Sequence, residues 1–380
     1  MIDKLALVGP EIALFVATCV VMVLGLSPSR DIRRGCAFIC AIGLVAAGAL
    51  RGLGTENVAG LFPDMVPFAK GLIAIVGLLL LLLMAGTVDR EEDKLEKAFD
   101  PLRANRAEFY AFFLFSLTGL MLVVSADDLI WLFLALELTS LPTYIMVTIS
   151  TRGTKSQEAG VKYFFLGALG AAVFLYGFAL LYGATGSTNL LEIASTIQAQ
   201  AQSESGINPL ASAGLVLSFI GLCFKIAAVP MHFYAADVYQ GAHSGVSAFL
   251  AFVPKTAGII AIMMIAGLGG WTHGQTGDAL PDALYGIMWI VAAATMFAGN
   301  VLALLQTSIK RMLAYSSVAH SGYMLVGIIA GPGSGDGFWS NGLAATLFYL
   351  LCYGVMNAGA FAVLACLERP SKDGMTGEID

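Results

Sequence analysis

Charged side chains are scarce in this sequence. Asp, Glu, Lys and Arg make up 12% of the 380 residues, against about 25% in a typical soluble domain. Apolar residues reach 58% and the mean hydropathy is +0.82. The formal net charge is −6 and the basic residues form no stripe, so we expect no nucleic acid among the partners. The composition predicts an integral membrane protein.

Cysteine and histidine are also few, at six and four residues. All six cysteines lie in apolar runs, where thiols behave as small apolar groups, so the sequence predicts no disulfide framework. Cys36 and Cys40 share a helix face, but no nearby histidine or acidic residue completes a metal site. We therefore expect no metal, haem, flavin or iron–sulfur cluster in this chain.

Long apolar runs recur along the whole chain. A helix needs about 20 residues to cross roughly 30 Å of hydrocarbon, whereas a β-barrel would alternate in segments of about ten residues. The predicted fold class is an all-α polytopic membrane protein with about eleven transmembrane helices. Lys4 is the only basic residue before the first run and no small-residue cleavage site stands out, so we expect that helix to be retained. The predicted spans are 8–28, 33–53, 69–88, 107–125, 128–150, 157–183, 209–229, 244–268, 281–304, 310–330 and 341–366.

Basic residues separate the loops into two sets. They follow predicted spans one, three, five, nine and eleven, and they are absent from the loops around 125–128, 184–208, 269–282 and 331–341. Because cytoplasmic loops collect Lys and Arg, we expect the N-terminus outside and the C-terminus of this chain in the cytoplasm. Arg51 and Lys70 lie at predicted helix ends, where they can snorkel to the membrane surface.

Three ionisable residues lie deep in predicted spans: Glu137, Lys225 and Lys255. A charge at mid-bilayer costs about 2.5–3.5 kcal/mol, so such residues indicate function by default. Buried ion pairs and snorkelling are the structural alternatives, and snorkelling is possible for Lys225, which precedes Pro230 by five residues. The alternation of amine and carboxylate groups favours a proton relay.

The relay has a simple physical basis. Burial disfavours the charged form of an amine, and an approaching carboxylate restores it. If Glu137 pairs with Lys225, the amine stays charged, and withdrawal of the carboxylate sends the proton toward Lys255. Pro230 is expected to break the helix that contains Lys225, with a short second half-helix after it.

Four further residues are candidates for proton transfer, and each also has a structural interpretation. His232 follows the predicted break and His320 lies in "AYSSVAHSGYML"; each is either a proton carrier or a packing residue. Glu158 and Lys162 stand four residues apart at the start of a span. They form either a local helix pair or a group through which protons enter.

Four long stretches carry a family resemblance. The chain resembles the subunit N family of the proton-pumping NADH-quinone oxidoreductase, respiratory complex I, whose members are antiporter-like membrane subunits. One matching stretch is "FKIAAVPMHFYAADVYQGAHSGVSAFLAFVPKTAG". Together the stretches cover residues 108–147, 156–190, 224–258 and 300–327.

The resemblance implies roles for individual residues. Glu137 matches the family's buried glutamate, Lys225 its broken-helix lysine and Lys255 its central-axis lysine. His232 and Lys162 match further positions on the polar axis.

The resemblance also implies the domain organisation. The family has about fourteen helices with two inverted five-helix repeats. We expect an N-terminal three-helix segment at 1–106, a first complete repeat at 107–268 and a partial second repeat at 281–380. The chain stops at "GMTGEID", where the family continues, so the sequence is either part of a longer protein or a naturally short one.

Redox chemistry in this family takes place in partner subunits. We therefore expect NADH, FMN, iron–sulfur clusters and quinone in those subunits and no cofactor here. The expected partners are the other membrane subunits of complex I, including neighbouring antiporter-like subunits, and the lipid of a bacterial inner (plasma) membrane. A cation/proton antiporter or a membrane-bound hydrogenase complex is the alternative assembly.

Overall fold

The computed structural model describes residues 7–27, 29–53, 60–93, 106–150, 154–204, 206–271, 282–332 and 341–367. These residues form helices and a single isolated β-bridge, between Asp128 and Asn189. The helices are α1 (Gly9–Gly25), α2 (Arg30–Leu50), α3 (Met65–Asp93), α4 (Arg106–Val124), α5 (Leu129–Ile149), α6 (Thr154–Thr185), α7 (Leu190–Ala201), α8 (Pro209–Lys225), α9 (Ala235–Gly241), α10 (Ser244–Gly269), α11 (Asp282–Leu304), α12 (Ile309–Ala330) and α13 (Gly342–Leu367).

The all-α prediction is confirmed, and each predicted span coincides with a helix. Within the described ranges, eight helices are long and apolar enough to cross a membrane. The other three predicted spans correspond to the shorter apolar helices α1, α2 and α8. The division into a three-helix segment and two repeats stays a prediction. The charged residues 94–105, His273 and the C-terminal residues 368–380 lie outside the described part of the chain.

Helix α10 forms the centre of the bundle. Every residue from Ser244 to Gly269 is buried, because α3, α4, α5, α7, α8, α12 and α13 all pack against it. A helix that is apolar on all sides is stable only in such a position or in lipid. Lys255 lies in the middle of this helix and is 3% exposed, so its side chain cannot reach the membrane surface.

Helices α6 and α8 pack at close range through glycines. A Cβ atom at Gly177 would lie 2.5 Å from the backbone nitrogen of Ser218, and one at Gly221 would lie 2.4 Å from that of Phe174. Small residues let two membrane helices approach until their backbones touch. This contact fixes the height of Lys225, which lies one turn beyond Gly221.

The break after Lys225 differs from the prediction. The sequence predicted a helix that continues to residue 229 and breaks at Pro230, but α8 ends at Lys225. The N–H of Ala228 bonds to the carbonyl of Cys223 at 2.9 Å and that of Ala227 to Phe224 at 3.0 Å. This pattern is a Schellman motif, in which the terminal residue adopts a left-handed conformation, and Ala227 has a φ of 53°. The predicted second half-helix is present as α9.

The prediction for Lys70 is wrong. Lys70 does not snorkel: its side chain is fully buried and its Nζ lies 2.8 Å from Oε1 of Glu11 on α1. It also donates to the carbonyl of Leu7 at 2.7 Å, and the hydroxyl of Ser125 donates to Glu11 Oε1 at 3.1 Å. The ammonium stays inside because these acceptors replace its hydration.

Candidate functional site

Glu137 on α5 and Lys225 at the end of α8 form a buried ion pair. The Nζ of Lys225 lies 3.0 Å from Oε1 of Glu137 and donates to the hydroxyl of Ser140 at 2.6 Å. The side chain of Lys225 is 2% exposed and that of Glu137 is 22% exposed. Lys225 therefore does not snorkel, and the carboxylate retains more room to move than the amine.

The surroundings of this pair hold the ammonium at the helix break. The ring of Phe174 lies 5.6 Å from the Lys225 nitrogen, close enough for a cation–π contact. The side chain projects from the last residue of α8, and the carbonyl groups at a helix C-terminus favour a cation. One carboxylate, one hydroxyl and one aromatic face thus surround a charge that water would otherwise solvate.

Lys255 has a different environment. Its Nζ donates to the carbonyl of Ser317 and, at 3.0 Å, to the hydroxyl of Ser321, both on α12. In the described part of the chain, no carboxylate forms an ion pair with it. The two lysines therefore differ in charge balance, because only Lys225 has an anionic partner.

A short polar connection joins the two lysine sites. The hydroxyl of Ser321 donates to the carbonyl of Ile226 at 2.6 Å, so this single hydroxyl bridges Lys255 and the residue after Lys225. Helix α10 touches α8 at the same place, since a Cβ atom at Gly258 would lie 2.9 Å from the Cβ of Lys225.

His320 lies beside the Lys255 site. Its Nδ1 is hydrogen-bonded to the hydroxyl of Tyr349, and its ring centroid lies 5.0 Å from that of Tyr353. Tyr353 in turn donates to the hydroxyl of Ser317 at 2.6 Å. The histidine is therefore part of a polar cluster that contains Lys255, although no hydrogen bond joins the two directly among the described residues.

Glu158 and Lys162 form the local helix pair that their spacing allows, with Nζ and Oε1 2.7 Å apart. Lys162 also lies 3.3 Å from Oδ2 of Asp237 on α9, and Arg311 on α12 lies 2.7 Å from Oδ1 of the same residue. Lys162 is 44% exposed and Asp237 is 42% exposed. This network ties α9 to α6 and α12 at the open edge of the bundle.

Electrostatics keep Asp237 ionised. Partial burial raises the pKa of this carboxyl group, but hydrogen bonds from Arg311 and Lys162 and their positive charges outweigh that effect. The net result is a pKa below the usual range for aspartate.

His232 lies apart from these contacts. It occupies the connection between α8 and α9, where its carbonyl accepts from the N–H of Ala235 at 3.0 Å. Its side chain is half-buried. No hydrogen bond joins it to Glu137, Lys225 or Asp237 among the residues that the structure describes.

Sequence reasoning missed several polar partners. Ser140 follows Glu137 by three residues on the same helix, so helical spacing could have identified it. Asp237 and Ser321 are brought to the site by tertiary packing between α9, α10 and α12, for which the sequence holds no local signal. Over the described ranges, no group of three His, Cys, Asp or Glu side chains could hold a metal ion.

Comparison with known proteins gives consistent matches. Residues 126–376 match the family model described as NADH:quinone oxidoreductase/Mrp antiporter, TM. NADH-quinone oxidoreductase subunit N from Trichlorobacter lovleyi is 35% identical over 372 residues, which cover 96% of this chain and 71% of that protein.

A second relative and a solved structure also match this chain. NADH-quinone oxidoreductase subunit N 1 from Koribacter versatilis is 42% identical over 276 residues, which cover 73% of this chain and 52% of that protein. This chain thus spans about half of that relative's length. A chain of respiratory complex I from Thermus thermophilus with bound aureothin superposes with a TM-score of 0.69 at 32% identity, covering 94% of this chain and 70% of that one.

Proposed function

Because the chain belongs to the subunit N family of NADH-quinone oxidoreductases, within the wider NADH:quinone oxidoreductase/Mrp antiporter family, we propose that it translocates protons across the membrane as a subunit of such an oxidoreductase. The observation that carries this proposal is the buried contact between Glu137 and Lys225 at the end of α8. Burying two charged side chains inside the bundle costs free energy. We therefore infer that this ion pair serves a function, which is to hold a charge that can be moved.

The proposed mechanism is a change of partner at Lys225. With Glu137 at 3.0 Å the ammonium is stabilised. When the carboxylate moves away, the buried amine loses its counter-charge and its N–H proton passes toward the amine of Lys255. Ser321 and the carbonyl of Ile226 offer polar groups between the two lysines. His320, which lies in the polar cluster beside Lys255, is proposed to act as a later carrier.

The network at the open edge is the proposed place where protons enter. Lys162 and Glu158 are exposed to water, and Asp237, which stays ionised, holds Lys162 in position. His232 lies on the connection between α8 and α9 and completes the proposed set of carriers. The structure brings none of these four into hydrogen-bonding contact with Lys225 among the described residues, so their part in the route rests on position alone.

The whole assembly supplies the energy for this movement. We propose that NADH, FMN, iron–sulfur clusters and quinone belong to partner subunits, so this chain is a translocase subunit without redox chemistry of its own. The proposed partners are the other membrane subunits, including neighbouring antiporter-like subunits. The proposed location is the bacterial inner membrane, with the N-terminus outside and the C-terminus of this chain in the cytoplasm.

The test is Lys225→Ala in the complex that contains this chain. In inverted membrane vesicles, we expect proton translocation driven by NADH to fall about tenfold or more, because a positioned proton carrier contributes roughly 10²–10⁴-fold to a transfer step. Lys155→Ala, which removes an exposed lysine at the start of α6, is the matched control. Normal translocation by the Lys225 variant contradicts the proposal.

The same vesicles separate the two kinds of assembly. A subunit of an oxidoreductase makes proton uptake depend on NADH oxidation and quinone, whereas a cation/proton antiporter exchanges protons for added cations without NADH. We expect uptake that requires NADH.

A further inference from the structure

Tyr144 on α5 has a buried hydroxyl group beside the ion pair. The residue is 6% exposed, and its Oη makes no hydrogen bond of ordinary geometry with any of the described residues. A buried hydroxyl without a partner is costly, since it has lost its water and gained no bond in return. Tyr144 therefore needs a partner in some other arrangement of its neighbours.

The helix directs this hydroxyl toward Glu137. Glu137, Ser140 and Tyr144 are spaced three and then four residues apart, so they share one face of α5. Long side chains on a helix lean toward its N-terminus, which carries the Tyr144 ring back along the face on which Glu137 lies. Tyr163 and Glu137 act electrostatically on the Tyr144 hydroxyl, and the hydroxyl of Ser140 lies near it.

The packing around Tyr144 fixes the ring and places its hydroxyl against the backbone of α6. Tyr163 meets the ring edge-on with centroids 4.6 Å apart, and Phe164 meets it at 5.8 Å. A Cβ atom at Gly167 would lie 2.1 Å from Tyr144 Oη, so the hydroxyl fits only because residue 167 has no side chain. The ring is thus held in place on two sides.

We propose that the Tyr144 hydroxyl is the second hydrogen-bond donor for Glu137, which receives the carboxylate when it leaves Lys225. This inference rests on the proposed function. The Glu137 side chain is the more exposed member of the pair and has room to move. After Glu137 has left Lys225, the hydrogen bond from Tyr144 stabilises its carboxylate. During that time the Lys225 ammonium has no counter-charge and passes its proton on. Tyr144 is therefore a positioning residue that acts through Glu137.

The experiment is Tyr144→Phe in the assembled complex, which removes the hydroxyl and keeps the ring. Tyr234→Phe is the matched control, because its hydroxyl belongs to the same aromatic cluster but donates to the carbonyl of Phe224 at 2.8 Å. We expect proton translocation driven by NADH to fall roughly ten- to hundredfold in the Tyr144 variant, which is what the loss of one hydrogen bond to a charged group produces.

An infrared difference spectrum separates the proposed role from a purely structural one, because a purely structural role of Tyr144 would leave the Glu137 band unchanged. The carboxylate band of Glu137 is identified by its loss in Glu137→Gln. In Tyr144→Phe we expect this band to shift, because the carboxylate has lost a hydrogen bond, and in Tyr234→Phe we expect it to stay in place.

Two results overturn the inference. One is unchanged translocation and an unchanged Glu137 band in Tyr144→Phe. The other is an equal fall of translocation in both tyrosine variants with the band in place, which indicates a packing role. Lys225→Ala in the same series distinguishes the Tyr144 inference from the proposed function. If Lys225→Ala reduces translocation and Tyr144→Phe does not, only the Tyr144 inference is overturned. If Lys225→Ala translocates protons normally, the proposed function is overturned.

Discussion

The hydroxyl of Ser321 donates a hydrogen bond of 2.6 Å to the carbonyl of Ile226, the first residue after α8. The same hydroxyl accepts from Nζ of Lys255 at 3.0 Å. One serine thus connects the central helix α10 with the end of the helix that carries Lys225. This geometry explains how two buried lysines on different helices can affect each other.

Ser321→Ala tests that connection. We expect proton translocation to fall about two- to tenfold, since one hydrogen bond contributes about 0.5–1.5 kcal/mol. The measurement is the rate of NADH-driven proton uptake into inverted vesicles at equal amounts of complex. Ser218→Ala is the control, because Ser218 is equally buried but its hydroxyl bonds at 2.7 Å to Gly214 of its own helix. Equal rates in the two variants would show that Ser321 does not connect the lysine sites.

The ion pair between Glu11 and Lys70 makes a prediction about stability. Lys70→Met leaves the carboxylate of Glu11 buried without its cation, which should lower the free energy of unfolding by about 3–5 kcal/mol. Glu11→Leu combined with Lys70→Met removes both charges and should restore most of that loss. Unfolding in detergent, followed by circular dichroism, measures both variants. A double variant that is less stable than Lys70→Met contradicts this interpretation.

Asp237 predicts a pH dependence. Its pKa is lowered in the folded protein by Arg311 and Lys162 despite partial burial, so its contribution to stability is present above the unfolded pKa of about 3.9 and is lost as the pH falls through the lower folded value. The group is partly exposed, so we expect less than about 1 kcal/mol.

The comparison of wild type with Asp237→Asn measures that contribution. Between pH 5 and pH 9 (a range chosen to lie above about 3.9) the difference in unfolding free energy should be constant. Below about pH 4 the two curves should converge. A difference that grows with acidity would mean that the carboxyl group is stabilised in its protonated form.

The close packing of α6 and α8 at Gly221 should affect the ion pair between Lys225 and Glu137. In Gly221→Ala the added methyl group meets the backbone of Phe174, so α6 and α8 must separate and Lys225, one turn later, moves relative to Glu137. We expect a loss of about 1–3 kcal/mol in stability together with slower proton translocation. Gly359→Ala is the control, since nothing lies within 4 Å of a Cβ atom there. A Gly221 variant with wild-type translocation would show that this spacing is not critical.

The helices were predictable because the apolar runs themselves specify them: each one must satisfy its own backbone hydrogen bonds in hydrocarbon. The end of α8 was not, because Ala227 adopts a left-handed conformation that the sequence pattern assigns to glycine. Pro230 marked the region but not the residue at which the helix ends.

The same contrast holds for the site. Glu137 and Lys225 stood out as charges in apolar surroundings, but their contact depends on how α5 and α8 both pack against α6 and α10, for which the sequence holds no local signal. Lys70 was misplaced because its partner Glu11 lies 59 residues away. A charge near a helix end is consistent with snorkelling until a buried carboxylate is found opposite.

Proton translocation per electron in a complex that carries Glu137→Gln is the most direct measurement of the role of the ion pair. Glutamine keeps the shape of the side chain but cannot carry the charge that holds Lys225 protonated. With assembly and NADH oxidation retained, we expect fewer protons to be moved for each electron transferred to quinone. A ratio equal to that of the wild-type complex would contradict proton translocation through Glu137 and Lys225.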